Sequence, residues 1–220
     1  IYEGLFKYFK DNNNKYDIIN DKNKKNEILF ICGSGGFSHA YNSMTKYIDL
    51  INNYEDIWIL PSTFDCSVDI VKHFLLSIDN KKVKIFCREK KSYNDVIDIF
   101  NGDVFIDHDT AFNIDYSKWK KRGIGILNAI RLDDEKNNNI INLFQNKKIN
   151  DISKGNYTEW STLLNEISKY DEVHTNRAHI SIASTLMGKK TFIYPSNYFK
   201  QEEIYKYSLS KYQNSKFINI

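Results

Sequence analysis

Glu172-Val173-His174-Thr175-Asn176-Arg177-Ala178-His179 decides the fold: it reads as a strand, a short turn and the opening of a helix. The helix continues through Ile180-Ser181-Ile182-Ala183-Ser184-Thr185-Leu186-Met187, small residues suited to close packing, and Gly188 ends it. Asn176 or Thr175 is placed to cap its start. The first-turn N–H groups then lie open beside Arg177 and His179, and dipole and charge together favour an anion. Arg177 is expected outside the packed core, so its loss should cost ligand binding rather than stability.

Working outward, the same alternation recurs. Short apolar runs at Ile28–Cys32, Ile57–Leu60, Val83–Cys87, Val104–Ile106, Gly125–Ile130 and Thr191–Tyr194 join Glu172–Thr175 as strands. Helical patterns fill the intervals at Tyr2–Phe9, His39–Asn52, Cys66–Ile78, Ser92–Phe100, Asn138–Phe144, Thr158–Lys169, Ala178–Met187 and Gln201–Tyr212. Strands separated by helices point to an α/β chain with parallel sheets. The polar stretch Asp115–Gly123 reads as a crossover between two sheets, giving an N-terminal lobe at 1–122 and a C-terminal lobe at 123–220.

Composition removes several classes. The net charge is +3, and the lysines alternate with Asp and Glu, as in Asp21-Lys22-Asn23-Lys24-Lys25-Asn26-Glu27. No basic stripe of the kind that holds nucleic acid is present. The Asn runs at 12–14 and 137–139 read as loop. Cys32, Cys66 and Cys87 form no disulfide framework and no Cys-x-x-Cys pair. Buried free thiols in a reducing compartment, the cytoplasm, are expected, with no structural zinc. No apolar run is long enough to span a bilayer, and no signal peptide is legible.

In open α/β sheets the residues after each strand line the ligand site. The first strand is followed by Gly33-Ser34-Gly35-Gly36-Phe37, a loop in which backbone N–H groups can approach a ligand, or a tight turn with none. It has neither the third glycine of a dinucleotide loop nor the Gly-Lys-Ser/Thr of a phosphate loop. Leu60-Pro61-Ser62-Thr63 borders a cleft or caps the next helix, and capping is favoured. Arg88 offers a guanidinium to a carboxylate or phosphate, or pairs with Glu89 or a nearby acid. For Asp107-His108-Asp109, fixing the loop is favoured over holding a metal.

Taken in order, these motifs resemble the polysaccharide pyruvyl transferase family. The resemblance rests on Gly33-Ser34-Gly35-Gly36-Phe37, Leu60-Pro61-Ser62-Thr63, Arg88-Glu89-Lys90-Lys91-Ser92, Asp109-Thr110-Ala111-Phe112, Asn176-Arg177-Ala178-His179, Gly188 and Asn197-Tyr198-Phe199-Lys200. Three departures stand out: Asn176 and Ala178 replace Asp and Leu, and Ser34 interrupts the glycines. The resemblance implies two Rossmann-like lobes in a GT-B-like arrangement, with no metal or cofactor. The implied activity moves pyruvate from phosphoenolpyruvate (PEP) onto two sugar hydroxyls as a cyclic ketal. Arg177 and His179 match donor-binding and catalytic positions. Arg88, Arg131 and Asn176 are further donor-binding candidates. Gly33, Ser34, Gly35, Gly36, Phe37, Asp109, Asn197 and Lys200 are cleft or acceptor candidates. A GT-B-like glycosyltransferase using a nucleotide sugar is the main rival, and a silent carbohydrate-binding protein is the third reading.

Overall fold

The computed structural model describes residues 11, 28–32, 35–38, 44–51, 53–79, 82–152 and 160–220. The helix expected over Tyr2–Phe9, the Asn run at 12–14, Gly33, Ser34 and the start of the helix expected from His39 lie outside the described residues.

Two compact units divide the chain, Ile1–Ile114 and Asp115–Ile220. In the first, β1 (Ile28–Ile31), β2 (Asp56–Ser62), β3 (Lys82–Cys87) and β4 (Asp103–Ile106) form a parallel sheet in sequence order. Between them run α1 (Met44–Ile51), α2 (Asp69–Ile78) and α3 (Lys90–Ile97). Alternation along the strands separates the faces. Leu29, Ile31, Ile57, Ile59, Val83 and Ile85 are buried in one core with Phe74 and Leu75 of α2 and Val96 of α3. The opposite face carries an aromatic ladder from β1 to β4: Phe30 to Trp58 at 5.6 Å, Trp58 to Phe86 at 5.9 Å, and Phe86 to Phe105 at 5.0 Å.

The second unit repeats the plan. Its strands β5 (Ile126–Ala129), β6 (Glu172–Thr175), β7 (Lys190–Ile193) and β8 (Ser215–Phe217) are parallel and again in sequence order. Its helices are α4 (Asn138–Leu143), α5 (Trp160–Ser168), α6 (Ala178–Leu186) and α7 (Lys200–Ile204), the last running into a π-helical turn at Tyr205–Leu209. Residues Ala178 to Thr185 of α6 are all buried except His179. The buried serines of α6 are satisfied within the helix, Ser181 Oγ donating to Ala178 O and Ser184 Oγ to Ile180 O, both at 2.7 Å, so the helix can be enclosed without a polar stripe. Gly188 has φ 78°, the left-handed geometry that ends α6.

The strip 115–122, placed in the first lobe by the sequence reading, is counted with the second unit. Trp119 donates from Nε1 to Asn165 Oδ1 at 2.8 Å and meets the Trp160 ring at 5.2 Å. Next to it, a Cβ on Gly123 would fall 2.3 Å from the Tyr170 carbonyl carbon, so only glycine fits there. Strand β8 was not expected, because three residues with one apolar side chain leave no run to read. Among the described residues no helix is long and apolar enough to cross a membrane.

Candidate functional site

Both sheets keep sequence order among the described strands, so their carboxyl ends, rather than a reversal of strand order, mark where ligands would meet the chain. In the first unit those ends close on themselves. Arg88, just past β3, is 1% exposed. Its Nε donates to Thr63 Oγ1 at 2.9 Å and its Nη1 to Asp109 Oδ2 at 2.6 Å. Asp109 also accepts the Ala111 N–H at 2.9 Å, starting the short 3-10 turn Thr110–Asn113. Glu89 accepts the Ser92 N–H at 2.8 Å and caps α3, while Ser92 Oγ accepts the Phe64 N–H at 2.7 Å.

Three separate sequence motifs therefore meet in one buried polar knot. Packing and helix capping account for all three. Thr63 does not cap α2 as expected, because its hydroxyl is taken by Arg88 and the cap position belongs to Val68. The loop-fixing role favoured for Asp109 is the one its bonds describe. His108 stacks on Phe112 at 5.0 Å. Among the described residues no group of three His, Cys, Asp or Glu is placed to hold a metal ion. Of the glycine-rich segment, Gly35 accepts from Ser38 Oγ at 3.0 Å and Gly36 is buried. Phe37 is 1% exposed and stacks on Phe64 at 4.5 Å, which makes it a core residue of this unit.

The second unit gathers charge at its strand ends. Arg131 follows β5, Arg177 follows β6, and Lys200 opens α7 beyond β7. Arg177 grips Asp151 with two bonds, Nε to Oδ1 at 2.7 Å and Nη2 to Oδ2 at 2.8 Å, and reaches Asp133 Oδ2 from Nη2 at 2.9 Å. Asp133 Oδ1 lies 2.7 Å from Arg131 Nε. Arg131 Nη1 also pairs with Glu135, and Glu135 accepts from Lys200 Nζ at 2.6 Å and from Tyr198 at 3.2 Å. Local backbone bonds bring the acids in. The Asn150 N–H binds Asn128 O at 2.9 Å, which sets Asp151 beside the end of β5. There Asp151 also accepts the Leu132 N–H at 3.0 Å.

Asn176 and Thr175 do not cap α6. Asn176 Oδ1 accepts the Arg131 N–H at 2.8 Å, and Thr175 Oγ1 donates to Ala129 O at 2.9 Å and accepts the Arg177 N–H at 3.1 Å. Both side chains tie the β5 and β6 ends together, and the N-cap is Arg177, with no side-chain cap bond. The Nδ2 of Asn176 is buried with no hydrogen-bond partner among the described residues. His179 stands half-buried in the first turn of α6, and Asn197 is exposed.

Arg177 departs from the position expected of it. It is 8% exposed and held by two carboxylates, because a guanidinium this deep must be paired to stay charged. Burial opposes ionisation of Asp133, yet Arg131 and Arg177 outweigh it and hold the carboxyl below its usual range. Asp133, Glu135 and Asp151 escaped the sequence reading. Asp133 and Glu135 sat in an acidic run after Arg131, and Asp151 had no motif around it. The structure thus joins Arg131, Asn176, Arg177 and Lys200 in one network of the second unit, while Arg88 and Asp109 are bound within the first.

A family model described as polysaccharide pyruvyl transferase matches residues 1–198. The solved structure of an uncharacterised protein from Klebsiella pneumoniae subsp. pneumoniae NTUH-K2044 is similar in fold. Its TM-score is 0.77 at 24% identity, covering 100% of this chain and 87% of that one. No curated protein matches the chain.

Proposed function

Because the chain belongs to the polysaccharide pyruvyl transferase family, a family of transferases with a saccharide acceptor, we propose that it transfers pyruvate from PEP onto two hydroxyls of a sugar or glycan. The observation that carries this reading is the cluster at the strand ends of the second unit, where Arg131, Arg177 and Lys200 are held together by Asp133, Glu135 and Asp151 beside the uncapped start of α6. PEP is small and carries a phosphate and a carboxylate, and guanidiniums and helix N–H groups are the chemistry that holds both.

The reaction needs a proton delivered to the PEP methylene carbon, which becomes the methyl group. Positive charge then develops at C2, and one sugar hydroxyl attacks it and loses its proton. Phosphate leaves with its electron pair, and the second hydroxyl closes the ketal and loses its proton. Arg177 and Arg131 stabilise charge on the departing phosphate. His179, in the first turn of α6, serves as general acid or base. The three free cysteines fit the reducing cytoplasm, where we place the reaction.

The test is a melting-temperature screen of the full chain against PEP and a panel of nucleotide sugars, followed by phosphate release with candidate glycans. PEP should raise the melting temperature, and phosphate release should require both PEP and a glycan. Stabilisation by a nucleotide sugar but not PEP, with glycosyl transfer, would assign the glycosyltransferase reading instead.

A further inference from the structure

The network of the second unit matches three cations, Arg131, Arg177 and Lys200, with three carboxylates, Asp133, Glu135 and Asp151. The set therefore holds no excess positive charge for an incoming anion until one carboxylate leaves. The side chains of Asp151 and Glu135 are 4% and 1% exposed, whereas that of Asp133 is 31% exposed. Exposing the buried pair means unpacking the unit. Releasing Asp133 needs only a side-chain rotation into water, since it lies in the loop between β5 and α4. Its side chain also accepts a long bond, 3.2 Å, from the Glu135 N–H.

Asp133 also occupies a defined place. One oxygen faces Arg131 Nε at 2.7 Å and the other accepts from Arg177 Nη2 at 2.9 Å, so the carboxylate bridges two guanidiniums. Nearby, the amide of Asn176 binds the Arg131 backbone through Oδ1 and leaves Nδ2, a buried donor, with no partner among the described residues. The Asp133 carboxylate has two oxygens, one facing Arg131 and the other accepting from Arg177. A phosphate bridging the same pair has oxygens left for a third donor.

We propose that Asp133 is a resident counter-anion, holding the place between Arg131 and Arg177 that a ligand phosphate takes, and that its displacement sets the affinity and anion preference of the site. The inference rests on reading this network as the donor's anion site. Apparent affinity is then reduced by the fraction of time the place is vacant. If Asp133 fills it nine-tenths of the time, the reduction is about tenfold.

The test compares wild type with Asp133→Asn and Asp133→Glu in the full chain. Calorimetric titrations would use PEP, inorganic phosphate and pyruvate. Asp133→Asn should bind PEP and inorganic phosphate about tenfold more tightly than wild type, with a smaller gain for pyruvate. Asp133→Glu, which keeps a competing carboxylate, should stay near wild type. Asp133→Ser carries the same expectation as Asn, so a fold that tolerates only one of them still gives an answer. If wild type binds PEP and neither deletion variant tightens it, the counter-anion is wrong and the donor reading stands. If phosphate binding tightens while no protein binds PEP, the counter-anion stands and the donor reading falls. Phosphate binding by none of the proteins overturns the proposal.

Discussion

Arg88 and Arg177 each follow a strand; the sequence left Arg88 either to meet a ligand or to pair with an acid and set Arg177 facing a ligand, and both are buried and paired. Arg88 is bound to Thr63 and Asp109 inside the first unit. Replacing it with Met leaves the Asp109 carboxylate buried and unmatched, and should cost about 3–5 kcal/mol of stability. A urea unfolding curve reads this, and a loss under 1 kcal/mol accompanied by weaker PEP binding would return Arg88 to the ligand contacts. For Arg177, the expectation of little structural cost gives way to a similar penalty. Arg177→Ala strands Asp151, so about 3–5 kcal/mol should be lost. Adding Asp151→Asn should recover part of that, since the two residues share one interaction. Additive losses in the double variant would show that the pair does not interact as drawn.

Two elements of the second unit carry expectations of their own. Helix α6 ends at Gly188 in left-handed geometry with open space where a Cβ would stand. Gly188→Ala therefore clashes with nothing, and only backbone strain remains, about 1–2 kcal/mol. Gly188→Asn should cost less, because Asn tolerates that conformation. A melting series of the two variants decides it, and equal melting temperatures would refute the strain argument.

On β6, His174 sits between Glu172, Tyr194 and the rings of Phe144 and Phe192. Burial lowers its pKa from 6.5, outweighing the Glu172 carboxylate. The unfolded chain therefore takes up a proton more readily than the folded one. Stability should be full above pH 6.5 and decline as pH falls below it. His174→Gln should flatten that decline, as measured by melting temperature against pH, and an unchanged slope would assign the decline to other groups.

At the scale of the molecule, two units each enclose a parallel sheet and its own core, and the chemistry of the chain follows from what those cores bury. Burial pushes the Cys32 thiol up to about 11 and the Cys66 thiol up to about 12, and raises that of Cys87 further. All three should be thiols at neutral pH and react slowly with iodoacetamide until the protein is unfolded. Fast labelling of the native protein, read by mass spectrometry, would contradict this. Activity should likewise persist in EDTA. Strand and helix periodicity, the glycine that ends α6 and the order of motifs along the chain were all legible in the sequence, because each depends on residues within a few positions of one another. Strand β8 was not, being too short to show a period. What the tertiary structure alone decided was partnership. Asp109 lies 21 residues from Arg88, Asp151 lies 26 from Arg177, and Glu135 lies 65 from Lys200. A charged side chain advertises its own chemistry in a sequence but not its neutraliser, and charges leave water only in company. The sequence thus determined which residues could hold an anion, and the fold determined that carboxylates already hold them.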